Sequence, residues 1–272
     1  QRRTDSLSTL PSKSTSHRLG VDIGGTFTDA ILIDESTGTV HISKVPSTPE
    51  DPSRGFLSAA TRILAETGVA PEKLSYVVHA TTVATNSIIE GKLAPTGFVT
   101  TDGFRDMLEI QRQIRASLYD VHFRKPPPLV PRHHCFGIPE RLDARGNVVT
   151  TLDEAAVRNV ARELKQSGVE SIAVCLLHSY LNRAHEQRVK EILREAFPEN
   201  AVSISSEVAA DFREYFRAST TVLNAGIRPI VGRYLERIES RLREQGVCAS
   251  LLLMQSSGGV YSFAAGADKP VY

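Results

Sequence analysis

The sequence lacks several features that would assign a protein class at once. There is no run of about 18 apolar residues, so no membrane-spanning segment is expected. Basic and acidic residues number 32 and 31, and no basic block stands out, which gives no reason to expect a nucleic-acid partner. The three cysteines, Cys135, Cys175 and Cys248, have neither metal nor redox spacing, and their scarcity indicates a reducing, cytoplasmic setting.

Apolar residues are also scarce at the start of the chain. Residues 1–17 are rich in Ser, Thr and Arg and predict a disordered leader. They contain no apolar core of a secretion signal, so a flexible tail is favoured over a targeting peptide. The chain of 272 residues is 41% hydrophobic, which is enough for one large domain or two smaller ones.

Strands and helices alternate from Leu19 onward and begin with an antiparallel hairpin, so the pattern predicts an α/β fold with a mixed sheet. Asp51 and Pro52 predict the start of a helix that ends at Gly68. Thr151 and Glu154 suggest a capping box for a later helix. Pro229 predicts a break or kink in the long helical segment near the end. The proline-rich segment 110–150 is predicted to be mostly loop.

The stretch "VDIGGTFTD", residues 21–29, has the composition of a phosphate-binding loop. Gly24 and Gly25 permit a tight turn and a close approach of ligand to backbone, and Thr26 and Thr28 add hydroxyls. Asp22, at the strand end, could hold a hydrated Mg²⁺. The stretch is neither GxxxxGK[ST] nor GxGxxG, and an ordinary hairpin with solvated polar residues explains it equally well.

Other polar clusters admit two interpretations each. In "HATTVATN", residues 79–86, hydroxyls at a strand-to-helix junction suit an anionic or amide ligand, although one threonine could simply cap the helix. Arg105 could bind a carboxylate or lie on a solvated surface. His178 could reach a ligand from a strand end, although a satisfied core histidine is commoner. The adjacent histidines of "HHC", residues 133–135, rarely serve one metal.

Taken together, the motifs resemble the N-terminal half of the hydantoinase A/5-oxoprolinase family, which includes subunits of acetone and acetophenone carboxylases. The resemblance extends from about Leu19 to Val260. It rests on motifs that occur in the family's order: "VDIGGTFTDAILID", "HATTVATNSIIEGK", "VTTDGFRDMLEI", "LYD", "PLVPR", "AVCLLHSYLNRAHE", "SSEV", "ASTTVLNA" and "LLLMQSSGGV".

The resemblance implies an actin-like ATPase fold of the ribonuclease H-like type, with this chain as the N-terminal part of a longer polypeptide. Residues 18–205 would form the N-terminal region, and residues 206–272 would begin the hydantoinase A core. ATP and Mg²⁺ would be the cofactors. The implied site residues are Asp22 and Asp29 for catalysis, Asp22 also for the metal, Gly24, Gly25, Thr26 and Thr28 for the phosphates, and Thr81, Thr82, Asn86 and Arg105 for the substrate.

The implied function is that of an ATP-dependent hydrolase that opens 5-oxoproline, hydantoin or a related lactam through a phosphorylated intermediate. A ketone carboxylase subunit and a non-catalytic assembly module are the alternatives. Two departures bear on this interpretation. Phe216 replaces an acidic family residue, and the family's second glycine-rich motif is missing. The isolated chain is therefore expected to be inactive and to need the C-terminal half or a hydantoinase B-like subunit, within an oligomer.

Overall fold

The computed structural model describes residues 16–114, 117 and 119–272. The strands are β1 (His17–Ile23), β2 (Phe27–Asp34), β3 (Val40–Pro46), β4 (Leu74–Thr81), β5 (Thr96–Thr101), β6 (Cys135–Ile138), β7 (Arg141–Leu142), β8 (Val148–Thr150), β9 (Ser171–Cys175), β10 (Val202–Ile204), β11 (Ser250–Met254) and β12 (Val260–Ser262). The helices are α1 (Pro52–Thr67), α2 (Val83–Ile89), α3 (Met107–Ile110), α4 (Glu154–Gln166), α5 (Ala184–Arg194), α6 (Ser205–Val208), α7 (Glu214–Glu244) and α8 (Phe263–Asp268).

The chain forms two compact units of non-contiguous segments. Of the described residues, unit 1 comprises 16–83, 233–266 and 272, and unit 2 comprises those of 84–232 together with 267–271. Unit 2 is therefore inserted in the sequence between β4 and β11. The predicted division at residue 205 follows the order of sequence motifs and does not coincide with these units. The predicted leader lies outside the described residues except for its last two positions, and its last residue, His17, begins β1.

The sheet of unit 1 has the order β12-β11-β4-β1-β2-β3. The pairs β1–β2, β2–β3 and β11–β12 are antiparallel, whereas β1–β4 and β4–β11 are parallel. In the opening hairpin Asp22 is the cross-strand partner of Asp29, and Ile23 is the partner of Thr28. The predicted mixed sheet with an antiparallel hairpin at its start is confirmed.

One face of this sheet packs against α1. Alternation along β1 and β2 turns Leu19, Val21 and Leu32 toward the core. The predicted ends of α1 are confirmed: the Asp51 side chain accepts a hydrogen bond from the Ser53 amide, and Gly68 ends the helix at φ 66°. Gly55 lets α1 approach the hairpin, because a Cβ there would lie 3.1 Å from Thr28 Oγ1.

The sheet of unit 2 is parallel throughout, in the order β10-β9-β5-β6. Apolar residues of α4 and α5 cover one face, where Val99, Ile172 and Val174 are buried. The first half of α7 covers the other face, where Phe98 and Ala173 are buried. Such double coverage is typical of parallel sheets, whose strands are apolar on both sides.

One prediction about local structure is wrong. Helix α4 is capped by Asp153, whose side chain accepts from the Ala156 amide at 2.9 Å, so Thr151 is not its cap. Helix α7 continues through Pro229, because packing of the apolar side chains in the flanking turns offsets the lost hydrogen bond, so there is no break and the predicted kink stays a prediction. The described residues of the segment 110–150 are mostly irregular, as predicted, although they include three short strands, of which β6 joins the sheet of unit 2. Among the described residues, no helix is both long and apolar enough to cross a bilayer.

Candidate functional site

The candidate site is the turn of the β1–β2 hairpin in unit 1. The Gly24 amide donates to the Phe27 carbonyl at 3.0 Å and closes the turn. Gly24, Gly25 and Thr26 are exposed, and nothing lies within 4 Å of the position that a Cβ of Gly25 would occupy. A ligand can therefore approach the backbone here, as the two glycines predicted.

Ser47, which follows β3, holds this turn from its other side. Its amide donates to the Thr26 carbonyl at 2.9 Å, and its hydroxyl donates to the Gly24 carbonyl at 2.7 Å. Thr28 Oγ1 lies 3.0 Å from Ser47 Oγ and is fully buried. Thr28 thus supports the turn from inside, and its predicted contact with phosphate stays a prediction. The role of Ser47 could not be predicted from the sequence, because nothing in the spacing links it to residues about 20 positions earlier.

The turn carries unused hydrogen-bond donors. The backbone amides of Gly25 and Thr26 find no acceptor in the part of the chain that the structure describes, and neither does the Thr26 hydroxyl. Ser47 occupies the carbonyls of Gly24 and Thr26, which flank the Gly25 and Thr26 amides. A group of backbone N–H donors without acceptors is an anion-binding arrangement.

The two aspartates beside the turn differ in their partners. The side chain of Asp22 is exposed, and its carboxylate makes no hydrogen bond or ion pair with the described residues. Asp29, its cross-strand partner, lies 3.2 Å from the Lys44 ammonium group, which also lies over the Phe27 ring. Asp22 is thus the carboxylate free to hold a cation, whereas the charge of Asp29 is partly balanced. The catalytic roles predicted for both stay predictions.

The predicted substrate residues fall in both units. Thr81 and Thr82 belong to unit 1, whereas Asn86 and Arg105 belong to unit 2. Thr81 Oγ1 accepts from the Val83 amide at 3.3 Å, as a helix-capping threonine does, and the Arg105 guanidinium lies 3.4 Å from the Arg132 carbonyl. Their common role in substrate binding stays a prediction.

His79, the first residue of "HATTVATN", belongs to the core. Its Nδ1 donates to the Val21 carbonyl at 3.1 Å, and its Nε2 accepts from the Tyr234 hydroxyl at 2.6 Å. Burial lowers the pKa of His79 to about 4 and raises the pKa of the Tyr234 hydroxyl. His79 is therefore neutral at physiological pH, and it anchors β4 rather than facing a ligand.

Sequence models of known families match nearly the whole chain. Residues 18–197 match the sequence model described as the hydantoinase/oxoprolinase N-terminal region, and residues 217–272 match the one described as hydantoinase/oxoprolinase. The caprolactamase subunit alpha of Pseudomonas jessenii is 36% identical over 250 residues, which cover 90% of this chain and 36% of that protein. The acetophenone carboxylase gamma subunit of Aromatoleum aromaticum is 34% identical over 270 residues, covering 93% of this chain and 37% of that protein.

Two solved structures confirm the predicted fold. The crystal structure of the ATP-dependent caprolactamase from Pseudomonas jessenii matches with a TM-score of 0.81 and 36% identity, over 89% of this chain and 36% of that one. The nucleotide-free structure of acetone carboxylase matches with a TM-score of 0.81 and 29% identity, over 94% and 39%. The chain thus spans less than two-fifths of the length of these relatives.

Proposed function

Because this chain belongs to the hydantoinase/oxoprolinase family, we propose that it is the N-terminal portion of an enzyme that uses ATP to open a cyclic amide. The activated species would be a phosphorylated amide oxygen, and water would then open the ring. The use of ATP is supported by the related caprolactamase from Pseudomonas jessenii, which is ATP-dependent. The ring could be 5-oxoproline, hydantoin or another lactam.

The observation that carries this proposal is the hairpin turn with its free donors. The amides of Gly25 and Thr26 would bind phosphate oxygens, and Ser47 holds the turn in the shape that presents them. Because these donors are already oriented by the fold, little rearrangement is needed when an anion binds. ATP would supply the phosphoryl group that makes the amide carbon a better electrophile.

The carboxylate of Asp22 would be a protein ligand of the Mg²⁺ ion that such a reaction requires. Among the described residues, no group of three or more His, Cys, Asp or Glu side chains is arranged to hold a metal. Mg²⁺ does not need such a cage, because it usually keeps several waters and binds one or two carboxylates together with nucleotide phosphates. The free carboxylate of Asp22 would be that protein ligand, and Lys44 beside Asp29 would add positive charge nearby.

The test is nucleotide hydrolysis by a family-length protein that carries this chain as its N-terminal part. We expect ADP release to depend on a cyclic amide, with caprolactam, 5-oxoproline and hydantoin as the probes, and to proceed without bicarbonate. A strict requirement for bicarbonate would contradict the hydrolase assignment.

A ketone carboxylase subunit is the second candidate, and the similarity to the acetophenone carboxylase gamma subunit favours it. The same assay separates the two, because a carboxylase would release ADP with a ketone and bicarbonate and would ignore lactams. Either enzyme would need the polypeptide that this chain does not contain, as the rest of the same protein or as a second, hydantoinase B-like subunit. A cytoplasmic oligomer stays a prediction.

A non-catalytic assembly module is the third candidate. Calorimetric titration of the 272-residue chain with Mg-ATP addresses it. Weak or undetectable binding is expected, because one hairpin supplies only part of a nucleotide site. Tight binding would show that the chain contains a complete site and would contradict the proposal of a divided one.

A further inference from the structure

The face of the unit 1 sheet that lies opposite α1 carries an apolar row. Cross-strand pairing aligns one residue from each of five strands: Ile42 of β3, Ile31 of β2, Gly20 of β1, Val78 of β4 and Leu252 of β11. Residues paired in this way point to the same face of a sheet. Ile31 and Ile42 are exposed, and the other three are partly exposed. A contiguous apolar surface of this kind marks an interaction site.

Gly20 turns the middle of this row into a groove. The nearest atom to the position of a Cβ at Gly20, outside the adjoining residues, is the Ile31 carbonyl oxygen at 3.9 Å, so the space above β1 is open. Ile31 and Ile33 of β2 form one wall, and Val78 and Met254 of β4 and β11 form the other. The groove encloses about 510 Å³. It is therefore a concave surface with apolar walls that follows β1.

The two ends of the groove carry opposite charges. Arg18 lines one end, where it also pairs with Glu35 and lies over the Tyr76 ring. Asp22 and Asp29 line the other end. An α-helix has partial positive charge at its N-terminus and partial negative charge at its C-terminus. A helix that runs antiparallel to β1 therefore matches both ends, with its N-terminus beside the aspartates and its C-terminus beside Arg18.

A helix is also the cover that the strand arrangement favours. The strands β1, β4 and β11 are parallel neighbours within the sheet, and parallel strands are normally covered by helices on both faces. A second copy of the chain fits less well, because two concave grooves placed face to face would leave a void between them. Because the chain spans less than two-fifths of the length of its relatives, a family-length protein contains enough further polypeptide to supply the helix.

We propose that this groove receives an amphipathic α-helix from the part of a family-length protein that lies outside these 272 residues. The helix would lie antiparallel to β1 and set a large apolar side chain over Gly20. The path from Arg18 to Asp22 is about 13 Å long, so a helix of about three turns spans it. The hairpin turn lies beyond the Asp22 end and stays open. This inference rests on the shape and charge of unit 1 and on family membership, and it is independent of the proposed chemistry.

The first test is the reactivity of a cysteine placed in the row. Ile31→Cys is combined with Cys248→Ser, because Cys248 is exposed whereas Cys135 and Cys175 are buried. A maleimide should label residue 31 readily in the 272-residue chain and at least about tenfold more slowly in the family-length protein, where the thiol reacts only when the helix opens. Mass spectrometry of the peptide that contains residue 31 measures the rate.

The matched control is Ser36→Cys, in the exposed β2–β3 turn, which should react equally fast in both proteins. Both lengths carry the same substitutions, so a local defect caused by Ile31→Cys would appear in both and would not produce the difference. Equal labelling of residue 31 in the two proteins would overturn the proposal. Protection already present in the 272-residue chain and lost on dilution would also overturn it, because that result assigns the face to a second copy.

Two further measurements identify the cover. A photoreactive phenylalanine analogue at position 42 of the family-length protein should cross-link to residues outside this chain that are spaced three or four apart, as on one face of a helix. Arg18→Glu should speed the labelling of residue 31 about twofold to fivefold, because it places negative charge beside the helix C-terminus. Lys165→Glu, which alters an exposed residue of α4, should leave that rate unchanged. Cross-links spaced two residues apart, or an unchanged rate in Arg18→Glu, would overturn the assignment of an antiparallel helix.

Discussion

The two sheets of the molecule are covered differently. In unit 2, helices pack against both faces of a parallel sheet, and its core strands are fully buried. In unit 1, the described residues cover one face of a mixed sheet and leave Ile31, Ile42 and Met254 exposed at 40%, 70% and 47%. The free carboxylate of Asp22 lies on the open side, whereas Glu186 and Arg217 of unit 2 are buried and hydrogen-bonded. The buried charges of unit 2 thus join structural elements, whereas the carboxylate of Asp22 in unit 1 remains available for the proposed metal.

The largest expected effect comes from removing the free carboxylate of unit 1. Asp22→Ala in a family-length protein should reduce nucleotide turnover by at least about 100-fold, since it removes the proposed metal ligand. Its free energy of unfolding should change by less than about 0.5 kcal/mol, because the side chain has no partner to lose. Steady-state ADP release and urea unfolding measure the two quantities. The exposed Glu50→Ala is the matched control. Unchanged turnover in Asp22→Ala would make the turn an ordinary hairpin.

In unit 2, removing the buried charged side chain of Arg217 should change the free energy of unfolding strongly. Arg217 is 1% exposed and donates to Ser205 Oγ and to the carbonyls of Leu176 and Asp211. Arg217→Ala should lower the free energy of unfolding by about 3–5 kcal/mol, because it leaves buried acceptors unpaired and opens a cavity.

Urea unfolding of the 272-residue chain measures this cost. Arg145→Ala, in the exposed β7–β8 turn, is the control and should change stability by less than about 0.5 kcal/mol. If the two variants lowered the free energy of unfolding by similar amounts, the hydrogen bonds of Arg217 would not stabilise the contacts between these elements in solution.

Unit 1 also contains a buried titratable side chain, His79, and its effect on the free energy of unfolding depends on pH. His79 has a pKa of about 4 in the folded chain and 6.5 as its ordinary value. Between these values the unfolded chain binds a proton that the folded chain does not, so stability falls as the pH falls from about 6.5 to about 4. The loss should reach about 3 kcal/mol. Urea unfolding at several pH values should show this slope in the original chain and a smaller one in His79→Gln. An equal slope in both would assign the effect to other groups.

The sequence predicted the type of fold better than the details of the site. Strand and helix periodicity and the family motifs were sufficient for the mixed sheet and for the ends of α1, because those features depend on neighbours in sequence. The sequence predicted Thr151 as the cap of α4, whereas Asp153 caps it. The two candidate caps lie so close together that the pattern did not distinguish them. The support of the hairpin by Ser47 and the Glu140–His185 pair could not be predicted, since each joins residues distant in sequence without a characteristic spacing.

The smallest expected change in stability tests whether one face of the sheet in unit 1 is uncovered while both faces of the sheet in unit 2 are covered. Ile42 and Ile172 lie on the two sheets at 70% and 0% exposure. Ile172→Val should cost about 1 kcal/mol of unfolding free energy, because it leaves a cavity the size of a methyl group in a packed core. Ile42→Val should cost less than about 0.5 kcal/mol, because water already reaches that side chain. Equal costs would mean that something covers the open face in solution. Repeating the measurement at a tenfold lower protein concentration identifies the cover: a cost at Ile42 that falls on dilution indicates a second copy of this chain, because dissociation follows mass action.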